Sequence, residues 1–135
     1  MSGRSSRMPE VSAEEEARPV VLIAEDEEPI AQVLAYMVED AGYTAINAIH
    51  GRAALELAYT RRPDLIITDL MMPQMNGKEL IHALRERMQA NTPPIVLMTA
   101  AGVRYAEDAG ADAVLLKPFD LEQVEEILQR YLENS

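Results

Sequence analysis

Cysteine and tryptophan are absent from this chain of 135 residues, and phenylalanine occurs once. Without thiols there can be no disulfide, no thiolate metal site and no cysteine nucleophile. Positive charge is scarce too: 12 Lys and Arg stand against 23 Asp and Glu, for a net charge of −11. That balance argues against nucleic acid or an anionic membrane as a partner, since both call for clustered Lys and Arg. No direct nucleic-acid binding is expected. Residues 1–19 are rich in Ser, Glu, Arg and Pro and hold no signal-peptide core, and no later run approaches membrane-spanning length. The expectation is a soluble, cytoplasmic protein with no membrane insertion.

What the chain has in plenty is apolar residues, 48% of the total, enough for the core of one domain but with little room for a second. The first 19 residues offer almost nothing to bury against the entropy of ordering them, which predicts a disordered N-terminal extension and a single domain over 20–135. From Val20 onward short apolar runs alternate with amphipathic segments, the pattern of βα units and a mainly parallel sheet. Strands are predicted at 20–24, 43–48, 65–68, 95–98 and 113–116. Between them, Ile30, Val33, Leu34, Met37 and Val38 form one helical stripe and Leu80, Ile81, Leu84 and Met88 another. A small helix is expected over 51–60. The last helix carries Leu121, Val124, Ile127, Leu128, Tyr131 and Leu132 at helical spacing, with Asp120 as its N-cap. The fold class is therefore α/β: a doubly wound, five-stranded parallel sheet with helices on both faces.

Ligand sites in such sheets lie outside the carboxyl ends of the strands, where strand order reverses. Glu25 and Asp26 follow the first strand, Asp69 the third, Thr99 the fourth and Lys117 the fifth. Crowded carboxylates repel one another and call for a cation. Mg²⁺ suits them: it takes oxygen ligands, keeps several waters, and is commonly held by one or two carboxylates plus a phosphoryl oxygen. Asp26 and Asp69 are the direct ligand candidates, Glu25 can act through a water, and the Met71 backbone carbonyl can add a neutral oxygen. The plainer alternative is that acidic residues at a sheet edge are solvated or cap the next helix; three converging ones favour a site.

Asp69 is also the best nucleophile candidate, because a carboxylate can attack a phosphoryl group once a metal neutralises the incoming charge. Lys117 can pair with Asp69 at rest and with phosphoryl oxygens later, and the Thr99 hydroxyl can donate to one of those oxygens. The Lys117-Pro118 bond is open to either isomer. Asn76-Gly77 is a turn signal that lets the loop beyond Asp69 fold back towards it. His50 and His82 lack partners at ligand spacing and read as surface imidazoles. The eight Met residues read as gap-filling apolar side chains.

Together, Leu22-Ile23-Ala24-Glu25-Asp26-Glu27-Glu28-Pro29, Asp69-Leu70-Met71-Met72-Pro73-Gln74-Met75-Asn76-Gly77, Thr99-Ala100 and Lys117-Pro118-Phe119 resemble the receiver domain of two-component response regulators, over residues 20–135. The resemblance implies strand order 2-1-3-4-5. It also implies phosphorylation of Asp69 by a histidine kinase or histidine phosphotransfer protein, with Glu25 and Asp26 as the acidic pair around Mg²⁺. Thr99 and Lys117 match the family's switch hydroxyl and phosphate-contacting lysine, and output passes to a downstream protein target. Two departures stand out. The segment from Thr99 to Lys117 is about one helical turn shorter than the family norm, leaving about 102–109 for a short or irregular fourth helix. Val114 occupies the position where the family usually carries an aromatic switch ring, so signalling is not expected to rely on an aromatic flip.

A stand-alone receiver that signals by protein contact is the leading expectation, with one excised from a longer response regulator or hybrid kinase as its variant. A receiver that docks without being phosphorylated is a third possibility. A phosphatase of the haloacid-dehalogenase type also uses an Asp nucleophile and Mg²⁺. It needs that Asp near its first strand with a second Asp two residues on, whereas Leu70 and Met71 follow Asp69 here.

Overall fold

Branched apolar runs make the strands, and polar or glycine-containing turns end them. In the computed structural model, which describes residues 18–133, these are β1 (Val20–Ala24), β2 (Thr44–Ala48), β3 (Leu65–Asp69), β4 (Ile95–Thr99) and β5 (Ala113–Leu116). Most of the extension expected at 1–19 lies outside the described residues. All pairings are parallel and the strand order is β2-β1-β3-β4-β5. The helices are α1 (Glu28–Asp40), α2 (Gly51–Arg61), α3 (Gly77–Met88), α4 (Val103–Asp108) and α5 (Leu121–Leu128).

Side chains alternate across a strand, so each central strand feeds two cores. Leu22, Ile66, Ile95 and Leu97 pack against Ala54, Leu55 and Ala58 of α2 and Leu80, Ile81 and Leu84 of α3. Val21, Ile23, Leu65, Ile67, Val96 and Met98 point the other way, onto Leu34 and Val38 of α1 and Val124, Ile127 and Leu128 of α5. Burial on both faces explains why these strands read as unbroken apolar runs.

The expected stripes need two corrections. Val33 is 49% exposed and Leu121 is 43% exposed. On α1 the buried face is centred on Ala31, Leu34 and Val38, one step round the helix from the arc through Val33. Leu121 is aligned with Leu128 two turns on, but as the first residue of α5 it overhangs the layer, beside Pro29, Val33 and Tyr36. The last helix also ends earlier than its apolar spacing suggests. After Leu128 the chain winds on as a π-helical turn, Gln129–Glu133, and the Tyr43 hydroxyl donates to Glu133. The fourth helix is as short as expected, at six residues.

The loop after β3 is pulled back over the site. Asn76 caps α3: its side chain accepts from the Glu79 amide at 2.8 Å, and the Glu79 carboxylate accepts from the Asn76 amide at 2.9 Å. This capping box fixes the next residue, Gly77, whose N–H donates to the Leu70 carbonyl at 2.8 Å. A Cβ at Gly77 would collide with the Asp69 carbonyl oxygen and lie 2.9 Å from Leu97 Cδ1. Relief requires backbone movement, so Gly77→Ala is expected to lower stability by about 1–3 kcal/mol, as read by denaturant unfolding. An unchanged midpoint would show that the loop yields freely.

Candidate functional site

Strand order reverses between β1 and β3, and the groups of interest gather at that end of the sheet. Register sets them level: Ala24 pairs with Thr68, Asp69 with Met98, and Thr99 with Leu116. Glu25 and Asp26 therefore emerge from β1 beside Asp69, the last residue of β3. Thr99 ends β4, and Lys117 leaves β5 with its N–H donating to the Thr99 carbonyl at 2.9 Å.

Oxygen atoms of Glu25, Asp26 and Asp69 lie within 4.8 Å of one another. Glu25 and Asp69 are buried, at 1% and 5% exposure, whereas Asp26 is open to solvent. The Lys117 ammonium bridges the two buried carboxylates, 3.2 Å from Asp69 Oδ2 and 3.4 Å from Glu25 Oε1. The remaining oxygens are held by backbone amides. Leu70 N–H donates to Asp69 Oδ1 at 2.8 Å, and Glu27 N–H donates to Glu25 Oε2 at 3.1 Å.

Burial pushes the Glu25 carboxyl up from 4.5 to about 7, and the nearby Asp69 charge adds to that rise; the Glu27 amide and the Lys117 charge offset it only in part. For Lys117, burial alone would lower the pKa, but the hydrogen bond and charge of Asp69, followed by those of Glu25, outweigh it and the net shift is upward. One ammonium thus serves two carboxylates.

The donor set fits a hard divalent cation: three carboxylates converge from two strands, and the exposed Asp26 leaves that side open for waters or a further oxygen ligand. Met71 lies two residues past Asp69 in the loop closed by Gly77 and is 73% exposed. Thr99 is 3% exposed and its Oγ1 accepts from the Ala101 amide at 2.8 Å, which leaves the hydroxyl proton free to donate elsewhere. The Lys117-Pro118 bond is cis.

Sequence reasoning did not find how deeply Glu25 is buried or that it shares Lys117 with Asp69. It also missed the work of His50, whose Nδ1 accepts from the Ala53 amide at 3.1 Å and caps α2. A polar residue just before an apolar-periodic segment was the available signal. His82 is exposed, as expected.

Fold and site together define a doubly wound α/β domain of the flavodoxin-like kind with an acidic cluster at its switch point. Residues 21–129 match the model of the response regulator receiver domain, and the chain belongs to that family, a signalling family rather than one of enzymes. The alkaline phosphatase synthesis transcriptional regulatory protein PhoP of Bacillus subtilis (strain 168) is 35% identical over 119 residues, covering 85% of this chain and 49% of PhoP. The chain thus spans about half the length of that curated relative. The chemotaxis protein CheY4 of Vibrio cholerae superposes with a TM-score of 0.78 at 36% identity, covering 86% of this chain and 100% of that one. The receiver domain of the sensor histidine kinase PA1611 from Pseudomonas aeruginosa PAO1 gives a TM-score of 0.79 at 26% identity, covering 87% and 100%; its structure holds a magnesium ion in the active site cleft.

The raised Glu25 pKa has a definite sign for stability. The folded state holds the proton more tightly than the unfolded chain, so this group's contribution is complete below pH 4.5 and is lost as pH rises through about 7. Glu25→Gln cannot ionise. Its stability relative to the wild type should therefore climb between pH 4.5 and about 7 and level off above, as read from paired denaturant titrations. Parallel pH profiles for the two proteins would remove Glu25 as the titrating group.

Proposed function

We propose that Asp69 is the phosphoacceptor of a two-component or phosphorelay system and that the domain signals by protein–protein contact. The observation that carries this reading is the buried Asp69 carboxylate, 3.2 Å from the Lys117 ammonium and within 4.8 Å of two further carboxylates. Asp26 and Asp69 would hold Mg²⁺ directly, with Glu25 acting through a water and the Met71 carbonyl as a neutral ligand. What Mg²⁺ supplies there is neutralisation of the charge on the incoming phosphoryl group.

The chain's own groups do the rest. An Asp69 carboxylate oxygen forms a bond to phosphorus while the bond from phosphorus to the donor imidazole nitrogen breaks, and that nitrogen keeps the electron pair. The amide of Leu70 on Oδ1 and the ammonium of Lys117 on Oδ2 orient the carboxylate beforehand. As the phosphoryl group arrives, Lys117 shifts to its oxygens, and the Thr99 hydroxyl, with its proton uncommitted, donates to another. Extra negative charge at the sheet edge thereby biases an equilibrium between two surface arrangements. Phosphotransfer and dephosphorylation on the protein's own aspartate are the full extent of its catalysis.

The donor is a histidine kinase or histidine phosphotransfer protein in the cytoplasm, and the output passes to a downstream protein target. None of the described helices is long and apolar enough to cross a membrane. A single-domain regulator is the main reading. The receiver of a longer regulator or hybrid kinase is the second, favoured by the half-length match to PhoP and the likeness to the PA1611 receiver.

Incubation with a small phosphodonor and Mg²⁺ should add one phosphoryl group to the wild type by intact mass and none to Asp69→Asn. Chelation of the metal should suppress labelling. An unlabelled wild type would overturn the proposal, and equal labelling of Asp69→Asn would move the acceptor to another residue.

A further inference from the structure

Among the described residues, three other than glycine have a left-handed backbone: Arg62 (φ 49°), Gln74 (φ 70°) and Gln89 (φ 50°). Arg62 and Gln89 end α2 and α3 respectively, where glycine or asparagine is the usual choice. Gln89 is the more unusual, with ψ at −121°. Its conformation is held by Thr92, whose N–H and hydroxyl both donate to the Gln89 carbonyl, at 3.1 and 2.7 Å. Strained backbone of this kind clusters where a ligand is clamped.

Between the two helix ends is a cavity of about 110 Å³ lined by Tyr59, Arg62, Arg87, Met88 and Asn91. It opens at the amino-terminal edge of the sheet, since α2 runs into β3 and α3 into β4 there, so the whole length of the strands separates it from Asp69. In a chain of net charge −11 its lining includes two arginines, Arg62 and Arg87. Among the described residues the ion pairs are Arg85 with Asp112 and Lys117 with Glu25 and Asp69, so no carboxylate in that set occupies Arg62 or Arg87. Arginine near a helix C-terminus also counters the helix dipole. That role accounts for neither the cavity between the two helices nor the strained turn at Gln89.

We infer that this cavity binds a phosphate-type dianion, either free phosphate or the terminal group of a phosphomonoester. Two guanidinium groups match a charge of −2 and suit oxyanion geometry. Tyr59 and Asn91, also in the lining, carry neutral donors that can reach such an anion, and Met88 is the apolar member of the set. A space of about 110 Å³ is small, on the scale of a compact oxyanion.

The test is a titration of the folded, ¹⁵N-labelled chain with inorganic phosphate, against chloride at matched ionic strength, followed by amide chemical shifts. Saturable shifts are expected around residues 59–63 and 87–92. Arg62→Gln and Arg87→Gln, both at exposed positions, should keep the spectrum of a folded protein and weaken the apparent affinity about tenfold or more. Glycerol phosphate then separates the two sources: the same shifts identify a phosphomonoester site, and shifts with phosphate alone identify a site for the free anion. Shifts confined to the neighbourhood of Asp69 and Lys117, or arginine variants that bind like the wild type, would overturn the inference.

Discussion

The bridge from the Lys117 ammonium to Asp69 and Glu25 is the interaction on which the site depends. Two like charges at the separation found among these carboxylates, within 4.8 Å, repel by about 3 kcal/mol at an effective dielectric constant of about 20. Burial then withdraws the water that would otherwise screen them. Glu25 and Asp69 remain in place because a cation and two backbone amides occupy their oxygens. The same arrangement makes the resting site responsive, since any cation that binds the acidic cluster, or any anion that draws Lys117 away, changes the balance that holds Glu25.

The sheet order is what makes this bridge possible. Lys117 follows β5, whereas Asp69 ends β3, with β4 between them. Neighbouring strands stand about 4.8 Å apart, so roughly 10 Å separates the two backbones and neither a short cation nor a distant carboxylate would close the gap. A long Lys arm reaching over the end of β4 meets an Asp on the near side, and Glu25, from β1 on the far side, is one carbon longer than Asp. Residue type at each position thus follows from its distance to the centre. Thr99 ends the strand over which the Lys passes, which places its hydroxyl next to the path of that arm.

Much of this was legible in the sequence because it rests on local periodicity. The unbroken apolar runs of β1, β3 and β4 announce strands buried on both faces, and the polar residue ending each run marks the site edge. What stayed hidden depends on contacts between remote segments. The collision that forbids a side chain at Gly77 involves the Asp69 carbonyl and Leu97 across a folded-back loop, and no spacing rule reports it. The exposure of Val33 and Leu121 was missed for a related reason: periodicity tells which residues share a face, not where the neighbouring layer stops. The capping function of His50 was hidden because an imidazole nitrogen does there what Ser, Thr, Asp or Asn usually does.

Mechanical weakness is as unevenly distributed as charge. α4 has six residues, fewer than two turns, and is bracketed by Gly102 and Gly110, both at positive φ. A helix of that length has no stability of its own and persists only through packing. It leaves the end of β4 at Thr99 and returns the chain to the start of β5 at the opposite edge of the sheet, where the Asp112 N–H donates to the Ile95 carbonyl. Its first end is therefore anchored next to one of the groups proposed to move, and its second leads into the strand that Lys117 follows. Elements of low local stability are the ones that rearrange when a site changes charge. A six-residue helix between two glycines at positive φ is thus a segment that can reorganise at little cost when the charge beside Thr99 changes.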